Sequence, residues 1–127
     1  MRKSRDLPVN GPHEERFADG GLSAEGRFRG GKRHGLWKYY YRNGRLKAVG
    51  RYVDGRFEGD WQWWRENGEL LQAGAFESGR QAGPWRRYHD NGRLLDEGSY
   101  RDGKKVGEWK AYDKSGKLER SKVFKAK

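Results

Sequence analysis

Few residues in this chain are of types that do chemistry, and their spacing does not suit catalysis. The histidines are His13, His34 and His89, and there is no cysteine. A metal site needs several His, Cys or carboxylate ligands at short, compatible spacings. No His–acid pair recurs in that way, and the repeat equivalents of His34 are Glu58, Ala82 and Val106. The serines are Ser4, Ser23, Ser78, Ser99, Ser115 and Ser121, and none stands in a nucleophile setting. Gly30-Gly31-Lys32 has the composition of a phosphate loop. Gly55-Arg56, Gly79-Arg80 and Gly103-Lys104 recur at the same spacing, which makes it an ordinary turn. The chain therefore reads as non-enzymatic, with no catalytic residue, metal or cofactor assigned.

What remains is the chemistry of contact. Tyr39, Tyr41 and Trp63, rimmed by Arg33, Lys38, Arg42 and Arg87, form the candidate partner-binding set. Aromatic rings with arginine are the usual anchors of protein interfaces. These rings stand out because most other aromatics recur on a fixed period. A 24-residue unit opens at Gly26, Gly50, Gly74 and Gly98 without insertion or deletion. Its structural columns are Phe28, Tyr52, Phe76, Tyr100 and Phe124; Gly35, Gly59, Gly83 and Gly107; Trp37, Trp61, Trp85 and Trp109; Tyr40, Trp64, Tyr88 and Tyr112; and Leu46, Leu70, Leu94 and Leu118. Phe17, Tyr39, Tyr41, Phe57 and Trp63 fall outside the aromatic columns.

The domain reading comes from this period. Residues 1–16 are expected to be a flexible leader and 17–25 a partial capping half-repeat. Residues 26–121 hold four repeats (26–49, 50–73, 74–97, 98–121). Residues 122–127 are a basic tail that starts a fifth.

Turn signals fall about every 12 residues, as in Asn43-Gly44, Asp54-Gly55 and Asn67-Gly68. Asn-Gly and Asp-Gly favour the two-residue type I′ hairpin turn. Each unit is then two strands, and the expected fold is all-β: an elongated, curved single antiparallel meander of eight or nine strands. If both turn kinds are two-residue loops, Tyr41 faces Leu46, Trp37 faces Gly50, Tyr52 faces both Phe57 and Gly35, and Gly50 faces Gly59. Each large ring then lies over a glycine on a neighbouring strand. One face collects Trp37, Tyr39, Tyr41, Leu46, Ala48, Tyr52, Phe57, Trp61 and Trp63. The other is charged, with Tyr40 and Trp64 among Lys38, Arg51, Glu58 and others. A lone sheet with an aromatic face has to curl, be covered or meet a partner.

Length and charge narrow the classes further. A chain of 127 residues is one domain. No apolar run approaches a membrane span, and no signal peptide is read at the N-terminus. The lack of cysteine fits a cytoplasmic location. The net charge of +11 is concentrated at the ends: the first repeat has eight basic residues and no acid. Acids at Asp54, Glu58, Asp60, Glu66, Glu69 and Glu77 interrupt any continuous basic track, which disfavours nucleic acid. Anionic lipid is the stronger electrostatic alternative to a protein partner or self-association.

The columns resemble MORN repeats, in particular the bacterial MORN-repeat variant. The resemblance lies in GKRHGLWKYYYRNGRLKAVGRY, GRFEGDWQWWRENGELLQAGAF, GRQAGPWRRYHDNGRLLDEGSY and GKKVGEWKAYDKSGKLERSKVF, over about residues 26–124. The chain departs from the pattern at Ser115, in place of Asn, and at Lys122, in place of Gly. The resemblance implies successive hairpins and an interaction scaffold, either for other proteins or for membranes. It is also similar to proteins assigned as antitoxins or immunity proteins of toxin systems, and it carries no catalytic residue over.

Overall fold

The computed structural model describes residues 9–125. Their regular structure is all strand, so no helix among them is long and apolar enough to cross a membrane. The strands are β1 (Gly11–Arg16), β2 (Leu22–Arg29), β3 (Lys32–Tyr40), β4 (Leu46–Val53) and β5 (Arg56–Trp64). They continue as β6 (Leu70–Glu77), β7 (Arg80–Tyr88), β8 (Leu94–Arg101), β9 (Lys104–Tyr112) and β10 (Leu118–Phe124). All ten pair in chain order as one open antiparallel meander.

The strand count exceeds the eight or nine expected, and the leader supplies the reason. Residues 11–16 are strand β1 rather than loose chain, paired with β2 from Gly11↔Phe28 to Arg16↔Leu22. Gly11 stands 24 residues before Gly35, and His13 stands 24 before Trp37. The segment is a worn copy of the tryptophan-bearing strand. Residues 1–8 of the expected leader and 126–127 of the basic tail lie outside the described residues. Residues 122–124 of that tail complete β10.

Two kinds of connection alternate. At Asp54-Gly55 both residues have positive φ (50° and 81°), as a type I′ turn requires. Tyr52↔Phe57 and Val53↔Arg56 then pair as expected. The Asn-Gly connections differ from the expected two-residue turn. The Gly44 N–H donates to the Tyr41 carbonyl, and the Tyr41 N–H donates to the Arg45 carbonyl. Of the two central residues only Gly44 has positive φ. This is a type I turn closed by a left-handed glycine, with three residues in the loop. Asn43 stays at negative φ because its Oδ1 accepts the Arg45 N–H. The longer loop shifts the local register, so Leu46 pairs with Tyr40 and not with Tyr41.

The Trp37↔Gly50 and Gly35↔Tyr52 pairs are as expected. The Gly50–Gly59 pair is replaced by a bulge that sets residues 59–61 against Gly50. Gly59 has φ +71° there, with open space where a Cβ would stand, so its role is conformational. Gly50 has the opposite role. A Cβ on it would lie 2.0 Å from Trp61 Cδ2. Gly26, Gly74 and Gly98 are covered in the same way by Trp37, Trp85 and Trp109. The rings do lie over neighbouring glycines, but over the column that opens each unit.

This arrangement buries indoles in a single-layer sheet. Trp37 is 0% exposed and Trp61 2%. Each indole Nε1 donates to a carbonyl of the preceding strand at 3.0 Å, from Trp37→Arg27 to Trp109→Ser99. Its edge or face meets the aromatic of that strand in a T-shaped contact, as in Tyr52–Trp61 (5.2 Å) and Phe76–Trp85 (5.2 Å). Tyr39, Ala48, Tyr52, Phe57 and Trp63 join this aromatic face as expected.

Candidate functional site

One cross-strand row carries three of the seven predicted contact residues. It runs Glu15, Ala24, Tyr39, Ala48, Trp63, Gln72, Arg87, Asp96, Ala111 and Arg120, each the register partner of the next. Ala24 and Ala48 are small enough to leave room for the neighbouring rings, and both are buried.

Much of Trp63 is taken up by this packing. Its ring lies 5.8 Å from both Trp61 and Trp85, bridging two repeats. Tyr39 stacks on Trp37 at 6.1 Å, and its hydroxyl meets that of Tyr52 at 2.7 Å. Burial, reinforced by this hydroxyl contact, raises the Tyr52 pKa well above the usual tyrosine range. Arg87 forms a two-bond pair with Asp96, at 3.0 and 2.6 Å. Those bonds hold the guanidinium more firmly protonated than usual, and they explain why Asp96 tolerates 7% exposure.

Arg33 and Lys38 lie elsewhere. Arg33 sits near the turn end of β3, with its guanidinium 4.7 Å from the Trp37 ring and 3.4 Å from Glu15. It covers Trp37. Lys38 pairs in register with Glu25 and Val49, one residue out of phase with Trp37 and Tyr39, which places it on the other face. Tyr40 shares that face, and its hydroxyl donates to Glu25 at 2.5 Å.

Tyr39, Tyr41 and Arg42 do come together, around a hollow of about 480 Å³ at the loop end of β3. Phe17, Glu15 and Lys47 also line it. The Arg42 guanidinium lies 4.8 Å from the Phe17 ring, and the Lys47 ammonium 5.7 Å from that of Tyr41. The exposed Arg42 also stands 3.8 Å from Asp19. Sequence reasoning did not place Phe17 and Lys47 beside Tyr39 and Tyr41. Their signal was present, since Phe17 is 24 residues before Tyr41 and heads an equivalent loop.

The loop-heading column positions this end of the sheet. The Tyr41 hydroxyl donates to the Trp64 carbonyl at 2.7 Å, and Arg65 donates to the Tyr88 carbonyl at 3.0 Å. A ring nitrogen of His89 meets the Tyr112 carbonyl at 2.7 Å. These contacts, each 23 residues long, fasten successive loops to one another. They account for His89 structurally, and His13 takes the tryptophan position against Phe28 at 5.1 Å. Among the described residues, no group of three or more His, Cys, Asp or Glu could hold a metal ion.

The 24-residue period and the hairpin units also appear in comparison with a known family. The model of the MORN repeat variant matches residues 33–54, 81–102 and 105–126. The chain belongs to this MORN repeat variant family. Each matched segment holds a tryptophan-bearing strand, its three-residue loop and the next strand, so the MORN unit here is the hairpin β3–β4, β7–β8 or β9–β10. The hairpin β5–β6 has the same register. MORN repeats generally act as scaffolds for interactions with proteins or membranes. No curated protein matches the chain.

Proposed function

We propose that this MORN-repeat chain is a non-enzymatic scaffold that binds another protein at the hollow formed by Phe17, Tyr39 and Tyr41. The observation that carries the reading is the gathering of Phe17, Tyr39 and Tyr41 with Arg42 and Lys47 around one concavity, with Tyr39 also packing on the core. Such clusters supply the anchors of protein interfaces. Action as an antitoxin or immunity factor in the cytoplasm is the specific role we favour; it rests on the resemblance of the repeat columns and goes beyond the family match.

Affinity purification of the full chain from its native source tests this. A stoichiometric protein should co-purify and be lost with Arg42→Glu. A lone monomer that binds only anionic vesicles overturns it. Such vesicles represent the second reading, which the acid-free first repeat favours. That reading predicts binding that fades with salt.

A further inference from the structure

The cross-strand row loses its large side chains toward β9. Tyr39 stands beside Trp37, Trp63 beside Trp61 and Arg87 beside Trp85, each two residues on along its strand. The corresponding residue beside Trp109 is Ala111. A cleft of about 190 Å³ opens there between Trp109 and Phe124. The Lys105 ammonium lies 4.6 Å from the Trp109 ring, and that of Lys122 lies 4.9 Å from the Phe124 ring. Arg120 of β10 pairs in register with Ala111 of β9. The carboxylate lining the cleft belongs to Asp96, already held by Arg87. Among the described residues, Lys105, Arg120 and Lys122 form no ion pair. The cleft therefore presents rings and unneutralised cations.

It opens at the edge of the sheet. β10 pairs with β9 on one side only, and none of the other described strands covers its outer side. The outward backbone N–H and C=O groups of such a strand form a template for another chain.

A further repeat is a poor occupant. Every glycine at the column 26, 50, 74 and 98 lies beneath the indole of the next strand, where a Cβ would stand 2.0–2.2 Å from the ring. Position 122 continues that column, and it is a lysine. A strand bringing a tryptophan in repeat geometry is therefore refused. A second β10, paired antiparallel about Ser121, would set Arg120 against Lys122 twice, and like charges directly opposed destabilise a sheet. An acidic segment meets neither obstacle and is attracted by the edge.

We propose that the outer edge of β10 takes up an extended acidic segment of a partner protein, which adds as a further strand and seats one carboxylate side chain over Ala111 among Lys105, Arg120 and Lys122. Main-chain hydrogen bonds supply affinity in this mode, and the cleft supplies selectivity. Lys122, which stands at the glycine position of the repeat, thus selects the strand that can add beyond it. The inference refines the protein-binding reading but uses a surface apart from the hollow at Phe17 and Tyr41, so either can fail alone.

The test titrates the full chain with a labelled peptide of about ten residues alternating Glu and Val, long enough to span an edge strand. Binding should slow amide exchange along residues 118–124. Exposed Lys122→Glu and cleft-filling Ala111→Trp should each weaken it roughly tenfold or more. Arg42→Glu, in the hollow, should leave it within about twofold. A peptide with proline at alternate positions, which lacks those donors, should bind far less. The proposal fails if Lys122→Glu has no effect or if the proline peptide binds equally. It also fails if exchange in β10 is slowed by phosphatidylglycerol vesicles and not by the peptide.

Discussion

Gly50→Ala should destabilise the sheet far more than Gly59→Ala, although both replace a repeat glycine by the smallest side chain. A Cβ at position 50 would stand 2.0, 2.2 and 2.4 Å from Trp61 Cδ2, Cε2 and Cγ. Carbon contacts are comfortable near 3.5–4.0 Å, so the ring has to withdraw by about 1.5 Å. That displacement breaks the 3.0 Å bond to the Arg51 carbonyl and loosens the contacts with Tyr52 and Phe57. Overpacking alone costs about 1–3 kcal/mol, and full loss of a buried tryptophan about 3–5 kcal/mol. We expect about 3 kcal/mol for Gly50→Ala. Gly59→Ala meets open space and suffers only its left-handed φ of +71°, about 1–2 kcal/mol. Urea unfolding followed by far-ultraviolet circular dichroism gives both values, with midpoints compared because repeat arrays can unfold in stages. The decisive step is a double-mutant cycle, in which Gly50→Ala should cost almost nothing in a Trp61→Ala background. Equal cost with and without the indole would refute the packing argument.

Two further perturbations probe the polar contacts. Arg87→Ala leaves the Asp96 carboxylate without its two bonds and should cost about 2 kcal/mol, with much of the loss recovered in Arg87→Ala/Asp96→Ala; an Arg87→Ala protein of native stability would contradict the pairing. Tyr40 tests pH dependence. Burial first, then the bond and charge of Glu25, push its hydroxyl from 10.0 up to about 12. The folded state thus keeps a proton that the unfolded chain releases. The stabilisation is complete below pH 10 and is lost as pH rises through 12. The stability difference between the native chain and Tyr40→Phe should narrow over that interval, and a constant difference would count against the Tyr40–Glu25 bond.

The repeat columns carried the fold because each expresses a local steric requirement. Asp54-Gly55 specified a type I′ turn through backbone preference, and the strand pairing next to it came with it. Asn43-Gly44 has similar preferences, but the Asn43 side chain bonds to the Arg45 N–H and holds φ negative, so the loop gained a residue. The bulge at Gly59 was hidden for another reason. A repeated glycine looks the same in sequence whether it frees φ, as Gly59 does, or clears space for a ring, as Gly50 does. β1 was obscured because its tryptophan position holds His13, Pro12 lies within it and Pro8 precedes it in the sequence.

The side chains around the hollow were less legible than the fold. Singling out rings outside the columns selected Tyr39 and Tyr41, which line the hollow. It also selected Trp63, whose ring bridges Trp61 and Trp85. Arg33 and Arg87 looked like a rim, but their charges are engaged by Glu15 and Asp96. Phe17 was overlooked because it belongs with Tyr41 at the head of a loop and not with the aromatic before it. Side-chain pairing across strands is set by the bulged register, and residue type alone does not encode it.

The most direct measurement is hydrogen exchange of the full chain with and without the protein that co-purifies with it. Binding at the hollow predicts slowed exchange in residues 17–21 and 41–47, abolished by Arg42→Glu. A bound protein that leaves both loops exchanging at the free rate would contradict the proposed binding site.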